Sequence, residues 1–307
     1  PETTTYTKVL RETDEAYIDV TDDWTFMDDG SFFWTSERDG WNHLYHYNKN
    51  GKLLNQVTKG DWDVTRFYGL NAKKKTLYYQ STENGSVYRD IYSIRTNGRN
   101  KKQLVTNKGT NAASFSADMS LVVNTHASST SPATYTLHQS KNGKLLRTIV
   151  DNEELLEKLD AYNLPEKEFG TINISGYDLN MYMIKPLDFD PNREYPLLLY
   201  QYSGPGSQLV SDSWLGANDY WHMLLAQHDY IVVCVDGRGT GYKGSEFKKL
   251  TQKELGKYEV IDQIRIAEKL GEEPYIDAER IGIWGWSYGG FMSANAIFQD
   301  PEVVSTA

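Results

Sequence analysis

The chain is short of the things that would point to several function classes. It has one cysteine, Cys234, so an internal disulfide framework and any Cys-x-x-Cys metal site are excluded. Cys234 sits in the apolar run Ile231-Val232-Val233-Cys234-Val235 and reads as a small buried hydrophobe. No apolar run approaches the ~20 residues of a membrane-spanning helix, and no basic-plus-apolar leader opens the sequence. The formal charge is −10 with no basic stripe, which argues against nucleic acid, because neutralising phosphates takes clustered Lys and Arg. No cofactor or metal motif is present. Asp236-Gly237-Arg238-Gly239-Thr240-Gly241 lacks the order of a dinucleotide loop and the Lys-Ser/Thr of a Walker loop. It reads as a structural turn in which Asp236 and Arg238 hydrogen-bond the loop.

Aromatic and apolar residues are plentiful. With 22 tyrosines and 8 tryptophans among 307 residues, the chain can bury sizeable cores in about two domains. The first half is rich in Thr, Tyr, Trp, Asn and Gly and repeats itself. Ser31-Phe32-Phe33-Trp34-Thr35-Ser36 returns as Thr76-Leu77-Tyr78-Tyr79-Gln80-Ser81 and as Ser120-Leu121-Val122-Val123-Asn124-Thr125. Asn50-Gly51 returns as Asn97-Gly98 and Asn142-Gly143, 47 and then 45 residues on, each time after an alternating strand. Asn-Gly there predicts a hairpin with a type I′ turn, positive φ at both central residues. A period of 40–50 residues with several strands per unit predicts propeller blades rather than a sandwich. Three blades are expected, preceded by the tail of another over Val9 to Val20. A closed propeller takes about 4–8 blades, so further sequence is expected upstream of Pro1.

Glu153 to Tyr162 predicts a short bridging helix, with Leu155, Leu156 and Leu159 on one face. Beyond Pro165 the rhythm changes to apolar strands alternating with helices. Strands are expected at Met181–Ile184, Pro196–Tyr202, Ile231–Val235 and Arg280–Trp284, and helices at Trp221–Gln227, Tyr258–Leu270 and from Tyr288. In the Tyr258 helix, Val260, Ile261, Ile264, Ile266 and Ala267 are expected to form the buried face. Alternating strands and helices mean an α/β unit with a parallel sheet. The expected division is therefore residues 1–163 as the C-terminal blades of a β-propeller and 164–307 as the first part of an α/β-hydrolase domain.

Gly285-Trp286-Ser287-Tyr288-Gly289 is a Gly-x-Ser-x-Gly motif between an expected strand and an expected helix. That context predicts a nucleophile elbow, with the Ser287 hydroxyl thrust out above a helix N-terminus. A serine needs a base and an orienting acid, and in this fold they follow it in the order Ser, Asp/Glu, His. Only 20 residues follow Ser287 and none is histidine; His43, His46, His126, His138, His222 and His228 all precede it. The expectation is that the triad Asp and His lie beyond Ala307. Tyr202, in Gln201-Tyr202-Ser203-Gly204-Pro205, stands at an expected strand end where an oxyanion donor belongs, although spacing alone leaves a packing role equally open.

Taken together, Trp284-Gly285-Trp286-Ser287-Tyr288-Gly289-Gly290, Tyr202-Ser203-Gly204-Pro205, Asp236-Gly237-Arg238-Gly239, Leu255-Gly256 through Asp262-Gln263, and the blade segment Asp39-Gly40-Trp41-Asn42-His43-Leu44-Tyr45 resemble the dipeptidyl peptidase IV subfamily of the prolyl oligopeptidases. The resemblance covers most of the chain and is densest from 196 to 295. It implies release of dipeptides from peptides with proline, or alanine, at the second position. It implies that Ser287 attacks the scissile carbonyl and that the Tyr202 hydroxyl and the Tyr288 N–H stabilise the oxyanion. It further implies that the Tyr288 ring lines the proline pocket and that Trp286 contributes to substrate binding. It also implies a secreted or periplasmic bacterial enzyme acting as a homodimer. The paired glutamates that bind the substrate's amino group belong to an earlier blade, and Glu153-Glu154 is not that motif. Prolyl tripeptidyl release and a noncatalytic propeller scaffold are the alternatives.

Overall fold

The structure is a computed structural model and describes residues 7–307. The expected propeller segment starts at residue 1, and its first six residues lie outside the described ones. Twelve strands follow in three antiparallel four-stranded sheets. The first is β1 Trp24–Phe26, β2 Phe32–Ser36, β3 His43–Tyr47 and β4 Leu53–Gln56. The second is β5 Val64–Asn71, β6 Thr76–Ser81, β7 Asp90–Arg95 and β8 Lys102–Gln103. The third is β9 Thr110–Phe115, β10 Leu121–Ser128, β11 Ser131–Gln139 and β12 Leu145–Val150. Each is an up-and-down propeller blade, and the repeated segments of the sequence are its second and third strands.

Their apolar residues face the neighbouring blade. Phe33 and Leu44 from the first pack on Trp62, Val64, Phe67 and Tyr79 of the second. Tyr78 and Ile91 from the second pack on Ala113 and Val122 of the third. Blades therefore share their cores pairwise, as radial repeats must, since one four-stranded sheet cannot bury its own faces.

Two local expectations are corrected. The Asn-Gly turns are not type I′: only Gly51 (φ 78°), Gly98 (φ 76°) and Gly143 (φ 72°) have positive φ, while the preceding asparagines do not. In the first, the Gly51 N–H donates to the Asn48 carbonyl and the Asn48 N–H to the Lys52 carbonyl, both at 2.9 Å. That is a type I turn closed by a left-handed glycine, the three-residue hairpin loop. Two of the asparagines instead turn their side chains inwards: Asn97 Oδ1 accepts from the Arg99 N–H and Asn142 Oδ1 from the Lys144 N–H, both at 3.1 Å, while in the first turn Asn48 Oδ1 takes that part, accepting from the Lys52 N–H at 3.0 Å. Val9 to Val20 forms no strand. Its polar run is held by side chains rather than by a ladder. Trp34 Nε1 donates to Glu12 at 2.9 Å, and the Ala16 N–H donates to Asp14 at 2.8 Å.

A short helix, α1 Glu153–Asp160, leads to a five-stranded sheet. Its strands are β13 Lys167–Ile174, β14 Tyr177–Ile184, β15 Tyr195–Tyr200, β16 Ile231–Val235 and β17 Ile276–Trp284, in the order β13-β14-β16-β15-β17. β15 runs parallel to β16 and β17, while β14 is antiparallel to β16. Three helices connect them, α2 Ala217–Gln227, α3 Ser245–Lys249 and α4 Tyr258–Gly271, and α5 Tyr288–Gln299 follows β17. Strand β16 is buried along its whole length, as a strand covered on both faces must be. Cys234, within it, is fully buried, and burial drives its thiol well above the usual range.

Helix α4 departs from the expected pattern. Its buried face contains Val260, Ile266, Ala267 and Leu270, but also Glu259, Asp262 and Gln263, while Ile261 and Ile264 are only half buried. The polar residues are buried because each one closes a loop of the site.

Candidate active site

The carboxyl ends of β15, β16 and β17 lie side by side, the place where open α/β sheets hold their ligands. From β17 the chain turns through Gly285-Trp286-Ser287 into α5. Ser287 has φ 56° and ψ −112° and is exposed. A serine in that backbone region stores strain, about 1–3 kcal/mol. The surroundings hold it there. A Cβ on Gly289 would lie 2.5 Å from the Gln201 carbonyl oxygen, and one on Gly285 would collide with the same atom. The Gln201 N–H also donates to the Trp284 carbonyl at 3.1 Å.

Gln201 is fully buried, and its side chain donates to the Gly289 carbonyl at 2.7 Å and to Ser293 Oγ at 3.1 Å. It thus fastens the end of β15 to the first turns of α5, where the elbow is made.

Tyr202 follows directly, half buried, and Ser203 then turns the chain with φ 59°. The Tyr202 ring meets the Tyr288 ring at 6.2 Å between centroids. As the first residue of α5, Tyr288 has an N–H without a partner inside the helix. Its ring also rests edge-on against Phe291 at 5.8 Å. The Tyr288 hydroxyl donates to Glu259 at 2.7 Å. Burial first, and the Glu259 carboxylate second, push the Tyr288 phenol far above its ordinary value. Trp286 stands out into solvent, 77% exposed, so Ser287, Tyr202 and Tyr288 are grouped while Trp286 flanks them.

The β16 end is fixed by charge. Asp236 is buried and accepts from the backbone N–H groups of Leu209 (3.0 Å) and Val210 (2.9 Å), and burial pushes its carboxyl up to about 6. Arg238 grips Asp262 of α4 with Nε at 2.9 Å, while the Arg238 N–H donates to the same carboxylate at 2.8 Å. This pairing raises the guanidinium further. Gln263 completes the set, donating to Ser203 Oγ at 3.4 Å and the Val235 carbonyl at 3.3 Å. Sequence reasoning missed Gln201, Glu259, Asp262 and Gln263 as parts of the site. The one available signal was two acids and an amide at i, i+3 and i+4 within an otherwise apolar helix stripe.

None of the six histidines hydrogen-bonds Ser287. His222 lies beneath Trp284, accepting from its Nε1 at 3.2 Å, and burial lowers it to about 4. His43 is wedged between Thr58 Oγ1 (3.1 Å) and the Gly60 carbonyl (2.9 Å). Among the described residues no group of three or more His, Cys, Asp or Glu could hold a metal ion, and no helix is long and apolar enough to cross a membrane.

The blades face the same loops. A cavity of about 310 Å³ lies between them and the hydrolase part, bordered by Asp19, Glu37, Asp63, Pro205, Gly206 and Lys248. Beside it, Arg89 stacks on Tyr242 at 4.0 Å and donates to Gln208 at 2.5 Å.

Comparison with known proteins agrees with this architecture. The model of the dipeptidyl peptidase IV N-terminal region matches residues 1–133, and that of the prolyl oligopeptidase family matches residues 218–306. The crystal structure of Porphyromonas gingivalis dipeptidyl peptidase 4 superposes with a TM-score of 0.92 at 41% identity, covering 96% of this chain and 42% of that one. A putative dipeptidyl aminopeptidase IV from Bacteroides ovatus gives 0.81 at 28% identity, covering 92% and 43%. Dipeptidyl peptidase 4 of Trichophyton equinum is 35% identical over 98% of this chain and 40% of its own length. The chain thus spans about two fifths of the curated relatives it matches. With blades that match the dipeptidyl peptidase IV N-terminal region and a nucleophile-elbow sheet that matches the prolyl oligopeptidase family, the chain belongs to the prolyl oligopeptidase family of serine peptidases, in its dipeptidyl peptidase IV branch.

Proposed function

We propose that the full-length polypeptide carrying this chain is a serine exopeptidase that releases X-Pro or X-Ala dipeptides from peptide N-termini. In this reading residues 1–163 are propeller blades that limit access, and 164–307 begin the catalytic domain. The observation that carries the proposal is the exposed Ser287 hydroxyl on a strained turn at a helix N-terminus. Ser287 Oγ attacks the carbonyl carbon of the proline or alanine itself, its proton passing through the base to the departing amine, and water then hydrolyses the acyl-enzyme to free the dipeptide and restore the hydroxyl. The tetrahedral oxyanion takes hydrogen bonds from the Tyr202 hydroxyl and the Tyr288 N–H, and the field of α5 adds to them. The Tyr288 ring walls the pocket for the small imino acid, with Trp286 at its rim.

The base that takes the Ser287 proton and the acid that orients it belong to sequence beyond this chain, as do the groups that bind the substrate's ammonium. Residues 1–307 alone are therefore expected to be inactive. A secreted or periplasmic homodimer is the matching cellular form.

A fluorophosphonate should label the full-length polypeptide, and Ser287→Ala should abolish both labelling and hydrolysis of Gly-Pro-nitroanilide. Labelling that survives Ser287→Ala, or hydrolysis by the isolated 1–307 chain, would contradict the assignment.

A further inference from the structure

Glu259 is a fully buried carboxylate with no Lys or Arg bridge among the described residues. An unpaired charge in such a place is costly unless hydrogen bonds replace its water. Its two oxygens have one protein donor each: Tyr288 Oη at 2.7 Å, and the Gly256 N–H at 3.1 Å. So the carboxylate joins the loop that starts α4 to the ring that follows the nucleophile.

Tyr288 is thereby held at both ends. Its Cα is fixed by the first turn of α5, and its hydroxyl is fixed by Glu259. Tyr202 and Phe291 confine the ring between these points. A ring tethered only at Cα would rotate about χ1 and χ2 among several rotamers. With the hydroxyl anchored, one orientation is left.

We infer that Glu259 is a positioning residue for substrate choice: it holds the Tyr288 ring as a fixed wall of the proline pocket, acting through the phenol rather than on the substrate. The inference rests on the serine-peptidase reading above. A rigid wall matters most for a side chain that fills the pocket, so proline should depend on Glu259 more than alanine does.

The test uses the full-length polypeptide, with Gly-Pro- and Gly-Ala-nitroanilide as probes. Glu259→Ala and Tyr288→Phe should each lower kcat/KM for the proline substrate by about tenfold, mainly through KM, and by less than about threefold for alanine. Glu259→Gln, which keeps a carbonyl acceptor for the phenol, should restore most of the loss. Adding Glu259→Ala to Tyr288→Phe should change kcat/KM by less than about twofold, because both act through one link. Fluorophosphonate labelling of Ser287 should persist in all of them. Equal losses on the two substrates, or additive losses in the double variant, would overturn the inference while leaving the peptidase intact. Tyr288→Phe removes a single oxygen, so it decides the matter even where Glu259→Ala does not fold. A wild-type protein that is neither labelled nor active would overturn both.

Discussion

Asp236 carries a testable charge. Burial raises its carboxyl from an ordinary 3.8 to about 6, against the pull of the Leu209 and Val210 N–H groups. The folded chain thus binds this proton more tightly than the unfolded one. The associated stability is present below the unfolded value and is lost as pH rises through about 6, by about 3 kcal/mol in all. Asp236→Asn should remove that slope, so its unfolding free energy from urea titrations should fall less than wild type's between pH 4 and 6.5. Parallel curves for the two proteins would count against the assignment. Gly289 carries a steric prediction. Its missing Cβ would sit 2.5 Å from the Gln201 carbonyl, so Gly289→Ala should cost about 1–3 kcal/mol in urea titrations through forced overpacking. It should also slow labelling of Ser287 by displacing the elbow.

Helix α4 is the element that ties the site together. Val260, Ile266 and Ala267 join the sheet's apolar core, and Glu259, Asp262 and Gln263 reach three separate strand-end loops. The Arg238–Asp262 pair among them is buried, and the carboxylate accepts from the Arg238 backbone N–H, Nε and Nη2. Removing either partner by alanine should cost about 3–5 kcal/mol, because the other charge is left without compensation. Replacing both by Met and Leu should cost less, and urea titration of the three variants checks this. This helix also marks where the sequence stopped being legible. The 3.6-residue pattern of apolar residues fixed its place and length, but the same pattern assigned Ile261 and Ile264 to the buried side and passed over the polar three. Periodicity reports which face is apolar, whereas a buried carboxylate is licensed by partners distant in sequence: Tyr288 for Glu259, and Arg238 for Asp262. The blades read more easily because their partners are local. Successive strands pair through short loops, so the aromatic repeats and the Asn-Gly turns announced them. The turn type escaped because one left-handed glycine after a type I turn satisfies the same dipeptide. Ser287 was readable because the flanking glycines encode its strain directly.

At the scale of the whole molecule, polar contacts among the described residues join blades to hydrolase at several places, and Asp212 gathers one group of them. The Asp212 N–H donates to the Val87 carbonyl at 2.9 Å, its carboxylate accepts from the Ser129 N–H at 2.8 Å, and its carbonyl accepts from Thr110 at 2.9 Å. Arg89 packs over Tyr242, and Lys249 bridges at 2.8 Å to Asp14 in the segment that precedes the first blade. Arg89→Ala should loosen this junction first. The amides of Asp212 and Ser129 should exchange faster, by about tenfold or more, while those of β16 keep wild-type protection. Equal acceleration in both places would mean global destabilisation instead. Strand β16 offers one further handle. Its only sulfur is sealed between two layers, so a thiol reagent in native buffer has nothing to react with until that layer comes apart. The lone cysteine is therefore a clock placed at the centre of the sheet: its rate of modification times the rare openings of the five-stranded sheet, without added mutation.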